Sequence, residues 1–239
     1  MDLYKQIFLR KSCRKYQPEP LDASELQEIE AFIRTMRPLF PEVTLNHRIL
    51  GPRQTKALLA PKAPHYLVIS GNPQPHRDLC VGFLFQQLDL YLSARGLGAC
   101  WLGGAKGRET PNGETDILSI CFGRPAEPAT RTSGTCKRKS LAEIATGEDS
   151  RLEAARLAPS GINLQPWYFI AEDGVIHVYQ AVRKGLKALV YNLQELDVGI
   201  ALCHLMLASE AIGKPFQFES RHPNAPPAPS GFAYVGTVL

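Results

Sequence analysis

The chain has no Cys-x-x-Cys pair, no apolar run long enough to cross a bilayer, and no Gly-x-Gly-x-x-Gly following a strand-like segment. Its six cysteines, Cys13, Cys80, Cys100, Cys121, Cys136 and Cys203, are scattered and lie mostly among apolar residues. That pattern argues for reduced thiols and against a disulfide or zinc framework. The most apolar stretch, 198–213, contains His204 and Glu210 and has helical periodicity, so no membrane span is expected. Asp2, Lys5, Arg10 and Lys11 stand where a signal peptide would carry its apolar block, and the expected location is the cytoplasm. Without the glycine fingerprint there is no separate dinucleotide-binding domain of the Rossmann type.

What is present suits a globular chain. Its 239 residues are 44% hydrophobic, enough for a substantial core in one large domain or two modest ones. Charged residues make up 21% and the net charge is +4. This mild excess suits a phosphorylated ligand. The basic residues are dispersed and lack interleaved exposed aromatics, which argues against nucleic acid as a partner.

Residues 2–9 read as an amphipathic helix, 10–16 as a polar turn, and Asp22 with Glu25 as the capping box of a helix that Pro38 stops. Residues 38–62 read as irregular cover. A buried strand follows over His65–Ser70, and then a long helix marked by Leu84, Leu88, Tyr91 and Leu92. Next come a strand running from Ala99 into Gly103-Gly104, a polar insertion at 106–116, and a strand over Ile117–Phe122. The basic run Lys137-Arg138-Lys139 precedes a short helix with capping-box spacing at Ser140 and Glu143. Element order then repeats: Ser150 and Glu153 capping a helix, a strand from Trp167, a long helix from Val198 to Ile212, and a final strand over Phe232–Val238. In this reading 166–171 matches 64–69, and the halves are 1–148 and 149–239. Residues 215–230 form a proline-rich extended segment.

Two motifs complement each other across the halves. Arg10-Lys11-Ser12-Cys13-Arg14 has no counterpart in the second half, and Pro159-Ser160-Gly161-Ile162-Asn163-Leu164-Gln165-Pro166-Trp167 has none in the first. Trp167 as core and Pro166 as strand entry account for two positions but not for Ser160, Asn163 and Gln165 together. Together the motifs resemble the flavin site of the nitroreductase family, in which the second loop comes from the partner subunit.

The resemblance implies an α+β sandwich formed by two fused half-repeats, a pseudo-dimer that needs no second chain and stands as a monomer. It implies one FMN, NADH or NADPH as hydride donor, and a small-molecule electron acceptor of nitroaromatic or quinone type, in a ping-pong cycle with no catalytic side chain and no metal. On this reading Arg10 and Ser12 face the phosphate, Lys11 belongs to the same turn, and Lys137, Arg138 and Lys139 add charge. Arg14 reaches the pyrimidine edge of the ring. Leu102, Gly103 and Gly104 bring main chain to the ring, and Pro159, Ser160, Gly161 and Asn163 contact ring and ribityl chain. A flavin-binding protein without turnover, a carrier, sensor or partner-dependent redox module, is the alternative.

Overall fold

The computed structural model describes residues 1–57, 60–110, 113–131, 136–182 and 193–239. Contacts divide the chain into two compact units, Met1–Arg77 with Leu84–Thr135, and Asp78–Phe83 with Cys136–Leu239. The division falls ahead of residue 148, so the basic run and the helix after it lie in the second unit.

In the first unit Asp2 caps α1 (Leu3–Leu9) by accepting from Lys5 N at 3.0 Å. The predicted Asp22/Glu25 box starts α2 (Ala23–Ile33), with both reciprocal bonds formed, at 2.8 and 2.9 Å. Strands β1 (Asn46–Leu50), β2 (Thr55–Lys56) and β3 (His65–Ser70) lead to helix α3 (Arg77–Ala94), which is followed by β4 (Gly98–Leu102), β5 (Lys106–Gly107) and β6 (Asp116–Gly123). The sheet runs β1-β3-β6-β4, antiparallel throughout, and β2 pairs with β5 separately. All six residues of β3 are buried, which its unbroken apolar reading anticipates. Residues 46–50, expected to be irregular, instead form an edge strand. Asn-His-Arg-Ile-Leu carries no apolar alternation to announce it.

In the second unit α4 (Leu141–Ile144), β7 (Ala145–Thr146) and α5 (Leu152–Arg156) precede β8 (Trp167–Glu172) and β9 (Val175–Ala181). Helix α6 (Gln194–Ala211), β10 (Phe218–Glu219) and β11 (Phe232–Val238) complete it. The sheet order is β10-β11-β9-β8-β7, and only β7 and β8 are parallel. Strand β9 was not foreseen, although Asp173-Gly174, both at positive φ, is the signature of a two-residue hairpin turn. The start of α5 also differs from expectation: its N-cap position is Arg151, with no side-chain cap, and Asp149 accepts from Arg151 N at 2.8 Å. Arg151 is fully buried, and it bonds the Asp149 carboxylate, the Gly174 carbonyl and Ser209 Oγ.

The two sheets share a topology. Chain order β1, β3, α3, β4, β6 with sheet order β1-β3-β6-β4 is matched by β8, β9, α6, β10, β11 with sheet order β8-β9-β11-β10. Strand β3 therefore corresponds to β9, and β1 to β8. The sequence match of 64–69 with 166–171 is displaced by one strand.

Within the second unit, residues 78–83 of α3 cross α6 at two glycines. A Cβ on Gly82 would lie 1.9 Å from Leu196 O, and one on Gly199 would lie 2.1 Å from Leu79 O. No helix among the described residues is long and apolar enough to cross a membrane. All six cysteines are free thiols, as their spacing implied.

Two predictions follow from this packing. Gly199→Ala should lower unfolding free energy by about 3 kcal/mol or more, read from a denaturant midpoint, because backbone on the facing helix must move. Buried His65, whose Nε2 accepts from Leu21 N at 2.9 Å, and buried His177 are both held below the ordinary imidazole value of 6.5, chiefly by burial. The unfolded chain then binds protons that the folded chain refuses. Stability should rise as pH climbs to about 6.5 and level off above it. Urea midpoints that stay flat through that window would show that neither ring carries the linkage.

Candidate functional site

Residues 10–14 are extended and lie against β4, not in a tight turn. Ser12 bridges Ala99, Arg10 bridges Thr130, and Cys13 N donates to Ala99 O at 2.9 Å. A period of two puts Arg10, Ser12 and Arg14 on one face and Lys11 and Cys13 on the other. The Arg-x-Ser-x-Arg spacing is thus a strand pattern.

Arg10 does not present itself to solvent. It is 2% exposed, its Nη2 donates to Ser12 Oγ at 3.2 Å, and its Nε lies 3.0 Å from Asp89 Oδ2. That last contact has ion-pair distance but not hydrogen-bond alignment. A guanidinium expected to face phosphate is therefore neutralised inside the fold. Asp89 was missed, although a carboxylate set between Leu88 and Leu90 on a buried helix was the available signal. Ser12 Oγ accepts from Arg10, which leaves its own proton to donate. Arg14 is exposed, with no hydrogen bond or ion pair among the described residues. Beyond β4, Leu102 is half-buried and Gly103-Gly104 is an exposed turn; a Cβ on Gly104 would meet nothing within 4 Å. The fold itself does not demand glycine there.

The second motif forms a hydrogen-bonded knot with the basic run. Arg138 donates through Nε to Ala158 O at 3.0 Å and through Nη1 to Asn163 Oδ1 at 2.6 Å, while Asn163 Nδ2 donates to Lys137 O at 2.9 Å. Lys139 N donates to Gln165 Oε1 at 2.8 Å, and Gln165 N to Ser160 Oγ at 2.9 Å. Asp197, buried on α6, accepts from Gly161 N at 3.0 Å. Asp197 too was missed in the sequence, and its signal was again an acid within an apolar helix.

These bonds hold an unusual backbone. Ile162, Asn163 and Gln165 have φ of 44°, 59° and 49°. For a β-branched residue that is an outlier, and Ile162 is also 80% exposed. Pro159 is buried, so of the predicted loop ligands Asn163 and the partly exposed Ser160 and Gly161 remain open. Lys137 and Lys139 are exposed; Lys139 Nζ reaches Gln165 O at 3.3 Å.

The family model described as "Putative TM nitroreductase" matches residues 2–209. The chain belongs to this nitroreductase family. Its fold is also that of a solved structure from Thermotoga maritima described as a putative nitroreductase, with TM-score 0.70 at 19% identity, covering 100% of this chain and 93% of that one. A nitroreductase family protein from Clostridium difficile aligns at TM-score 0.48 and 17% identity over 62% of this chain and 98% of its own. One from Bacteroides thetaiotaomicron described as a putative NADH dehydrogenase/NAD(P)H nitroreductase aligns at 0.46 and 17% over 56% and 93%. At those scores neither adds weight. No curated protein matches.

For a nitroreductase-family chain the donor set is apt. The Ser12 hydroxyl, the Arg14 guanidinium and the Lys137 ammonium are unspent cations and donors suited to a phosphate dianion. No cluster that could hold a metal occurs among the described residues.

The strain in the loop is measurable. Ile162→Gly removes a left-handed β-branched residue with little burial to lose. The relief of about 1–2 kcal/mol exceeds the entropy cost of glycine, about 0.5–1 kcal/mol, so the variant should melt slightly higher. A lower melting temperature would mean that the side chain packs. Asp197→Ala should destabilise by about 1–3 kcal/mol through the unpaired Gly161 amide.

Proposed function

We propose that the chain is an FMN-dependent NAD(P)H oxidoreductase. By its resemblance to the family, the residues that would bind FMN are Ser12, Arg14, the main chain of Leu102, Gly103 and Gly104, and Lys137, Lys139, Ser160, Gly161 and Asn163. The observation that carries this reading is the exposed Arg14, unpaired among the described residues and two residues from a serine hydroxyl free to donate, in a chain of this family. Bound FMN supplies the chemistry, taking hydride from NADH or NADPH and passing it to a nitroaromatic or quinone-like acceptor in ping-pong order.

The residues bind and orient. Ser12 donates to phosphate, held in place by Arg10, which is a positioning residue and not itself a ligand. Arg14 contributes positive charge in a form that cannot be deprotonated, so its attraction for an anion persists across the working pH range. Arg138 and Asn163 fix one another, and their bonds present the exposed loop in one conformation. None of these groups is assigned a catalytic role, and solvent can supply the proton delivered to the acceptor. The shared strand order of the two units supports an internal duplication.

Purified protein should carry one FMN per chain, counted by absorbance after denaturation, and anaerobic NADH or NADPH should bleach it. FMN that no nicotinamide reduces would mean binding without turnover, and no FMN even after reconstitution would overturn the proposal. Arg14→Ala should weaken FMN by roughly tenfold or more, the scale of one charge-assisted contact. Arg138→Ala should weaken it as well, by loosening the loop. Unchanged affinity in Arg138→Ala would remove the second unit from the binding set.

A further inference from the structure

We propose that Cys100 and Cys121 are a peroxide-reactive thiol pair that closes reversibly to a disulfide across β4 and β6. The proposal does not rest on flavin binding. Cys100 and Cys121 are direct partners in the antiparallel register of β4 and β6. Opposed residues of such a ladder have Cα atoms about 4.5–5.5 Å apart and side chains on the same face. That separation lies inside the range a disulfide spans without backbone movement, about 4.4–6.8 Å. Cys100 Sγ donates to Trp101 O at 3.6 Å, and Cys121 Sγ lies 3.4 Å from the Tyr16 hydroxyl.

The pair is chemically asymmetric. The neighbouring Cys121 thiol, with the positive charges of Arg14 and Arg10, outweighs burial and the opposing Asp89 charge and brings Cys100 down to about 7. The same neighbour, with burial, pushes Cys121 up. Cys100 is the nucleophile, and Cys121 keeps its proton. Tyr16 fixes the second sulfur: its hydroxyl lies 3.4 Å from Cys121 Sγ and donates to Cys13 O at 2.7 Å. Cys13 is the competing thiol. It sits against Gly98, two residues along β4 from Cys100, and its Sγ already donates to Lys15 O at 3.2 Å.

Both sulfurs are buried, Cys100 at 5% and Cys121 at 0% exposure, so only a small oxidant suits them. A cavity of about 750 Å³ in the same unit is lined in part by Tyr16, Ala57, Ala63 and Tyr66. Ala63 and Tyr66 share one buried cluster with Cys100 and Cys121, and Tyr16 and Ala57 pack against that cluster. Tyr16 both lines the cavity and contacts Cys121 Sγ, so a hydroperoxide in the cavity lies against a side chain that touches the pair. In the first step the Cys100 thiolate attacks one peroxide oxygen; an S–O bond forms, the O–O bond breaks, and hydroxide leaves. Cys121 sulfur then attacks the Cys100 sulfenic acid; the S–S bond forms, the S–O bond breaks, and the Cys121 thiol proton leaves with the hydroxide as water. In sum two thiols and hydrogen peroxide give a disulfide and two waters.

The test is peptide mapping of the native, full-length protein after brief hydrogen peroxide treatment and quenching with an alkylating agent. The expected product is one peptide pair joined through Cys100 and Cys121, lighter by two hydrogens and released by dithiothreitol. Cys121→Ser should stop at a Cys100 sulfenic acid that dimedone traps, and Cys100→Ser should give neither product. Linkage of Cys13 to either residue, or alkylation of both Cys100 and Cys121 only after unfolding with no disulfide found, would overturn the proposal. The wild-type map decides even if a serine variant fails to fold.

Discussion

The candidate site depends on a backbone that its own side chains disfavour. Ile162, Asn163 and Gln165 all sit in the left-handed region, where each non-glycine residue costs on the order of 1–3 kcal/mol. Hydrogen bonds offset that cost. Asp197 takes the Gly161 amide, Ser160 takes the Gln165 amide, and Arg138 clamps Ala158 O and Asn163 Oδ1, each worth about 1 kcal/mol net and more where a charge takes part. The loop is therefore set by groups from α6 and from the basic run as much as by its own residues. Such a conformation persists only where its surroundings over-determine it, and here they do.

The same logic sorts the basic residues. A charge taken out of water must be paired, so Arg10, at 2% exposure, has Asp89, and Arg151, fully buried, has Asp149. These arginines are architecture. Arg14 and Lys137 are exposed, pair with no carboxylate among the described residues, and keep their charge for something outside the fold. An Arg-x-Ser-x-Arg motif reads as two equivalent cations in one dimension. In three, one is spent and one is not.

Two helices meeting through glycine make a different kind of constraint. At Gly82 and Gly199 the facing carbonyl stands where a methyl group would be, so the helix distance is fixed by the absence of side chains. The shared strand order then places a long buried helix at the same point of each unit's topology. Such an agreement is hard to see in sequence, because it depends on pairing order and not on residue identity.

The sequence alone determined the elements whose burial is periodic or complete. Strand β3, helix α3, strand β11 and the Asp22 cap of α2 fall where apolar spacing and cap chemistry put them, because a buried face imposes its period on the chain that makes it. It also carried the Pro159–Trp167 motif and with it the family. Only the tertiary structure decided which polar groups remain free. Arg10 was lost to Asp89, Asn163 was oriented by Arg138, and edge strand β1 formed from five residues with no pattern of their own, each through a partner far off in sequence. Local periodicity records whether a side chain is buried. It does not record what that side chain meets there.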